Sequence, residues 1–210
     1  MFQALLALVA REKQRQSRAS PGVMLVGERV MLRAPRVEDW QDWVRLRSLS
    51  APFLQPWEPD WPKNALTRDY YMSYWRRLVR RWVQDREYAF VICSKPHENA
   101  LLGGITVTDI KREATQSGTL GYWIGAPYAG RGFMKDAAAM IAEFAFRELK
   151  LHRLEATCMP ENKPSIKLLR AIGMQEIGLA KRYMKINSQW QDHVLFEKVS
   201  QEAVTAPESF

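Results

Sequence analysis

Residues 120–150, LGYWIGAPYAGRGFMKDAAAMIAEFAFRELK, constrain the fold of this chain more than any other stretch. A bulky apolar run over 120–124 reads as a strand, and 125–132 as a turn broken by Pro127, Gly130 and Gly132. From about Phe133 the apolar residues Met134, Ala138, Ile141, Ala145 and Leu149 recur every three or four positions, which predicts a helix with one buried stripe. Asp136, Glu143, Arg147 and Lys150 fall on the opposite face. The first-turn N–H groups of a helix have no partner within it, and the helix dipole adds partial positive charge there. With small residues and Arg131 at its mouth, this turn suits a phosphate or pyrophosphate. Neither a Gly-Lys-Ser/Thr phosphate loop nor a complete Gly-x-Gly-x-x-Gly dinucleotide pattern is present. The turn alone therefore does not separate an anion site from a plain chain reversal.

Composition narrows the class. A chain of 210 residues with 47% hydrophobic content can bury the core of one globular domain. Only two cysteines occur, Cys93 and Cys158, both in apolar strand-like runs, which excludes a disulfide framework and fits buried thiols in a reducing compartment. His97, His152 and His193 are scattered without metal-ligand spacing, so no metal is expected. A net charge of +8 favours an anionic partner, whether a polyphosphate ligand, RNA or a ribonucleoprotein surface. The apolar start MFQALLALV lacks a preceding basic region and is followed by REKQRQSR, unlike a secretory signal, and no later run is long enough to span a membrane. A cytoplasmic protein is expected, with a peripheral leader over 1–23, a domain over 24–199 and a loose tail over 200–210.

Along the domain, 28–33 alternates as a strand and 37–49 reads as a helix carrying Trp40, Trp43, Val44 and Leu46. Residues 51–65, APFLQPWEPDWPKNA, read as a loop whose four prolines stop it from continuing that helix. Trp57, Glu58 and Asp60 within it fit a lid packed over the core and equally a wall facing a substrate. Thr67 predicts the N-cap of a long helix to about Gln84, with Tyr71, Tyr74, Trp75, Leu78 and Trp82 on one face. Arg76, Arg77, Arg80 and Arg81 form a basic patch on the other side, usually a solvated face and less often an RNA or acidic-partner contact. Strands over 88–94, 101–110 and 119–124 with short connections predict an antiparallel meander. A strand over 153–159, a helix beginning near Pro164 and ending at Gly173, and a hairpin turning at Asn187-Ser188 complete the chain.

The second informative stretch is HRLEATCMPENKPSIKLLRAIGM, residues 152–174, in which a strand end leads through Pro160-Glu161-Asn162 into a helix bearing Ser165 one turn in. In this order the chain resembles the GNAT N-acetyltransferase superfamily. GYWIGAPYAGRGFMKDA, LHRLEATCMPENKPS, RYMKINSQWQDHVL and FLQPWEP resemble in particular its RimJ/RimL branch, which acetylates ribosomal-protein N-termini. The resemblance spans about 24–199. It implies an α+β fold with a central, mostly antiparallel mixed sheet of about seven strands flanked by helices. It also implies acetyl-CoA as acetyl donor. Backbone groups of Trp123, Ile124 and Gly125 would hold the pantetheine arm where the fourth strand splays. Gly130, Arg131, Gly132, Phe133 and Met134 would hold the pyrophosphate, and Asn162 and Ser165 would contact the arm or its thiol.

Two departures stand out. The superfamily pattern Arg/Gln-x-x-Gly-x-Gly/Ala falls on Ala129, Gly132 and Met134, so only its glycine is kept. The tyrosine by which many relatives protonate the leaving thiolate falls on Leu169, which leaves Ser165 as the nearest hydroxyl; its bland alternative is a first-turn serine satisfying backbone donors. The implied reaction is direct attack of an amine on the thioester, with a strand N–H as oxyanion donor. An α-amine with pKa about 7.7–8.0 is already roughly a tenth neutral at pH 7, whereas a lysine amine near 10.4 is neutral about once in several thousand. An N-terminal acceptor thus needs only a weak base. Glu58 is the leading candidate, as base or as ligand of the α-ammonium, with Asp60 and Glu155 behind it and Trp57 beside it as substrate-binding wall. The expected partner is a ribosomal-protein N-terminus, with ribosome or RNA surface contact by the arginine patch, no membrane, and a monomer or weak dimer. A small-molecule amine acceptor, or a non-enzymatic acetyl-CoA or RNA binder, are the alternatives.

Overall fold

The computed structural model describes residues 22–95 and 100–200; the expected leader through residue 21, most of the 95–99 turn with His97, and the tail beyond Ser200 lie outside them. Eight strands form one sheet in the order β1-β2-β3-β4-β5-β6-β8-β7. They are β1 Met24–Val26, β2 Val30–Arg33, β3 Tyr88–Ser94, β4 Leu101–Lys111, β5 Ser117–Ile124, β6 Arg153–Cys158, β7 Gln175–Ile186 and β8 Gln189–Val199. Every pairing is antiparallel except β5 with β6. The extra strand over the seven expected is β1, a three-residue edge paired with β2.

Strand alternation divides the core into two layers. Phe90 and Ile92 of β3 face one side and Val91 and Cys93 the other. On the first side lie helix α4, Phe133–Arg147, and helix α5, Lys163–Ala171. The α4 stripe is as expected: Met134, Ala138, Ile141, Ala145 and Leu149 are all buried. On the second side lie α1, Trp40–Leu49, and α3, Arg68–Val83, which pack Trp43, Leu46, Tyr71 and Trp75 against Val91, Cys93 and Leu101. Both thiols are buried, and burial pushes each above its ordinary pKa.

Local chemistry sets the element ends. The Thr67 hydroxyl accepts the Tyr70 N–H at 3.2 Å and caps α3. Asn187 and Ser188 both take positive φ, 47° and 61°, the conformation a two-residue hairpin turn requires between β7 and β8. The stretch 51–65 departs from expectation. It opens with a short helix, α2, Ala51–Leu54, followed by a 3₁₀ turn at Gln55–Trp57. Pro52 and Pro56 sit in the first turns of these pieces, where a helical N–H is not needed, so proline starts them instead of preventing them. The arginine patch also changes: Arg77, itself exposed, and Arg81 pair with the buried carboxylate of Glu87 at 3.2 and 2.7 Å, and among the described residues Arg76 and Arg80 are exposed cations without a carboxylate partner.

Beneath α1, the Asp39 carboxylate accepts both terminal nitrogens of Arg33, at 2.8 and 2.7 Å, and the Arg36 N–H at 2.7 Å. Both side chains are largely buried, at 14% and 10% exposure. Removing one partner strands the other charge away from water. Asp39→Ala is expected to lower unfolding free energy by about 3–5 kcal/mol in urea titration, and a loss under about 1 kcal/mol would show the pair to be solvated.

Candidate active site

The site begins where the sheet comes apart. β5 and β6 pair through only three residues, Ser117↔Arg153, Gly118↔Leu154 and Thr119↔Glu155. Beyond Thr119, β5 stays with β4 and β6 stays with β8, so the two strands open a fork. The facing edges present backbone N–H and C=O groups that an extended, amide-bearing ligand can pair with. Trp123 and Ile124 lie on the β5 prong, and the Gly125 N–H is bonded to the Leu102 carbonyl at 2.8 Å.

The turn after β5 is held from below. The Ala126 N–H donates to the Ser50 hydroxyl at 2.9 Å, and a Cβ at Gly125 would lie 2.4 Å from Leu46, so α1 packs directly under the turn. Gly130 and Gly132 then take φ of 73° and 82°, the left-handed region that favours glycine. Gly132 is the N-cap of α4 and has no side chain to bond the first-turn N–H groups, which leaves them to a ligand. Arg131 is exposed at the same mouth. Arg29 joins it from the β1–β2 connection: its guanidinium bonds Asp136 at 2.8 Å and the Arg131 carbonyl at 3.2 Å. A Cβ at Gly132 would come within 2.9 Å of that guanidinium. Left-handed glycines, open N–H groups and two arginines fit the pyrophosphate of acetyl-CoA.

On the other prong, the Asn162 Oδ1 accepts the Ser165 N–H at 3.1 Å and caps α5, so that oxygen is committed to the helix. The Ser165 hydroxyl lies 2.6 Å from the Tyr122 phenol, and the Cys158 thiol stands beside it. Burial pushes the Tyr122 phenol well above its ordinary pKa, against a smaller downward pull from Ser165. Leu169 is fully buried in the core and offers nothing to the fork.

The opposite face of the sheet carries the 51–65 stretch. Glu58 is bound bidentately by Arg47, at 2.9 and 2.6 Å, and receives the Trp61 indole N–H at 2.7 Å. The Arg47 guanidinium lies 5.4, 4.1 and 5.0 Å from the ring centres of Trp43, Trp61 and Trp123. Trp123 can lie flat against β4 because position 104 is glycine: a Cβ there would meet its indole nitrogen at 2.5 Å. Asp60 accepts the Ser188 hydroxyl at 2.8 Å, and the Gln55 carbonyl receives Asn187 at 3.4 Å, so the stretch is tied to the β7–β8 turn. Trp57 is half-buried in its 3₁₀ turn. Glu155, half-buried, lies on the β6 face away from buried Leu154 and Ala156.

The expected residues thus form two groups, Gly130–Met134 with Ser165 and Asn162 around the fork, and Trp57, Glu58 and Asp60 across the sheet. Arg29, Arg47, Trp61 and Tyr122 complete these groups and were not picked out from the sequence. Tyr122 alone carried a signal, since in a strand it must face away from its neighbour Trp123.

The chain is similar to known acetyltransferases. A probable N-acetyltransferase YjcK of Bacillus subtilis is 31% identical over 175 residues, spanning 81% of this chain and 93% of that protein. The Escherichia coli [ribosomal protein uS5]-alanine N-acetyltransferase is 31% identical over 181 residues, spanning 83% and 90%. The solved structure of Mycobacterium smegmatis RimJ in complex with CoA-disulfide superposes with a TM-score of 0.78 at 32% identity, covering 84% of this chain and 85% of that one. The family model described as an acetyltransferase (GNAT) domain matches residues 29–175, and this chain belongs to the GNAT acetyltransferases.

Proposed function

We propose that this acetyl-CoA-dependent N-acetyltransferase modifies the N-terminal α-amino group of a ribosomal protein, with alanine as the first residue. The observation that carries the reading is the state of the acceptor-side carboxylates. Glu58 is neutralised by Arg47, and Asp60 is bonded to Ser188. A polyamine or aminoglycoside carries several cations and calls for convergent, uncompensated carboxylates. One peptide α-amine needs no such surplus. The similarity over 181 residues to an enzyme named for uS5 alanine acetylation supports the same choice.

Acetyl-CoA supplies the thioester, and the chain supplies placement. The Gly130–Met134 turn would hold the pyrophosphate, the edges of the fork the pantetheine arm, and the Ser165 hydroxyl would face the sulfur that leaves. Glu58 already accepts three N–H bonds, so it is better suited to hold the peptide end than to pull a proton from it. The α-amine, roughly a tenth neutral at pH 7, loses its extra proton to water.

The deciding experiment mixes the protein with acetyl-CoA and deacetylated ribosomal proteins and maps products by mass spectrometry. One acetyl group on an N-terminal alanine is expected, with a rate that rises with pH and levels near about 8 as the α-amine deprotonates. Acetylation of lysine side chains, or of small amines alone, would overturn the reading. Glu58→Gln should lower kcat/KM for the acceptor peptide about tenfold, expressed in KM; a loss confined to kcat would make Glu58 the base. If Arg76 and Arg80 meet ribosomal RNA, replacing both with alanine should flatten the dependence of log K on log salt by about 1.5–2 in a ribosome pelleting assay. An unchanged slope removes that contact and leaves the enzyme reading intact.

A further inference from the structure

We infer that Tyr122 is a positioning residue for the departure of the CoA thiolate, acting through the hydroxyl of Ser165. This rests on the acetyl-transfer reading of the same fork and adds to it a residue from the opposite prong. The tyrosine of α5 that would serve a leaving thiolate in related enzymes is replaced by Leu169, which is fully buried. The structure places a phenol nearby by a different route. Tyr122 comes from β5, three residues past the last β5–β6 pair, and reaches across the fork to Ser165 in the first turn of α5 at 2.6 Å.

The direction of that hydrogen bond decides what the pair can do. A phenol is a far stronger acid than an alkanol and therefore the better donor, and burial keeps this phenol protonated. Tyr122 is therefore assigned as the donor and Ser165 as the acceptor of a bond whose direction the oxygen positions alone leave open. A serine has one proton, and with its oxygen accepting from the phenol that proton is left for another acceptor. Asn162 fixes the same serine from its backbone N–H, so its position is set from two sides. A hydroxyl so placed can donate to sulfur, and the bond it receives from the phenol strengthens the one it gives.

The transfer balances without a charged tyrosine. The amine nitrogen forms a bond to the acetyl carbon, the carbon–sulfur bond breaks, and the sulfur keeps the electron pair. The Ser165 hydroxyl stabilises that charge by hydrogen bonding, polarised by Tyr122. The amine's extra proton goes to water, and CoA takes its own proton from water after it leaves. Neither Ser165 nor Tyr122 changes protonation state.

The test is a double-mutant cycle on the full chain. Free thiol is titrated during acetyl transfer to alaninamide, an acceptor that carries an α-amine but does not depend on the identity of a ribosomal protein. Ser165→Ala is expected to lower kcat about 100-fold, and Tyr122→Phe about tenfold, each with KM for acetyl-CoA nearly unchanged. Tyr122→Phe should cost nothing further in the Ser165→Ala background, because its effect passes through that hydroxyl. Ser165→Thr keeps a hydroxyl and should restore the dependence on Tyr122. A Tyr122→Phe loss that multiplies with Ser165→Ala, that appears in KM for acetyl-CoA, or that is absent overturns the inference. Acetylation of alaninamide by the unaltered protein without acetylation of any ribosomal protein would instead defeat the acceptor assignment and leave the Tyr122 test standing.

Discussion

The rest of this structure depends on a pairing that stops early. Among the described residues, β5 and β6 are the only parallel neighbours in the sheet, and they share three residue pairs before separating. Parallel neighbours need a crossover, and here that crossover is α4, whose N-terminus must rise at the end of β5. The open fork and the open helix start therefore occur together for one topological reason. An extended chain can pair with the strand edges while its anionic end meets the helix N–H groups. The glycines at 130 and 132 serve this geometry. Their positive φ lets the chain reverse within a few residues of the strand end and start α4 without a side chain over its first turn.

The sheet also separates the two groups of candidate site residues. On the α4 and α5 side lie the anion site, Ser165 and Tyr122; on the α1 and α3 side lie the indoles, Arg47 and Glu58. Strand alternation on β5 makes this division in adjacent residues, since Tyr122 packs with the first core and Trp123 with the second. In the proposed reaction, an amine approaching from the indole side would meet the acetyl group through the fork instead of around an edge. Arg47 explains why that face can be aromatic and still hold a carboxylate. Its guanidinium is largely buried among three indoles, and a lone charge there would be costly, so Glu58 and Arg47 stabilise one another's presence. Among the described residues, none offers the buried Arg47 Nε a hydrogen-bond partner.

What could be read from the sequence followed from chemistry that acts over a few residues. The α4 stripe, the Thr67 cap and the Asn187-Ser188 turn each depend on neighbours within one or two turns of chain, and each was legible. The proline-rich stretch misled because proline has two meanings: it stops a helix from its interior and starts one from its first turn. The arginine run was legible as charge but not as pairing, since Glu87 lies beyond the end of α3 and meets Arg77 and Arg81 only after the chain folds back. Within the site, the glycine turn was legible and its partner Arg29 was not, since Arg29 lies 107 positions before Asp136. Asp60 and Ser188 meet across 128 residues, and Tyr122 and Ser165 across 43. No periodicity carries such information.

The Leu169 position shows how a missing side chain can mislead when it is judged within its own motif. Read along α5, the hydroxyl that should face the sulfur is absent, and Ser165 stands alone as a weak replacement. Read across the fork, Ser165 meets a phenol from the strand that faces it. A residue on α5 and a residue on β5 can serve one atom because the fork brings their prongs to either side of it. The sequence separation of the two is large while the distance is 2.6 Å. Catalytic hydroxyls in such a fold are constrained by the point they must reach, and only loosely by the element that carries them. Leucine at 169 then has a positive role: it fills the core under α5 and leaves the fork to Tyr122.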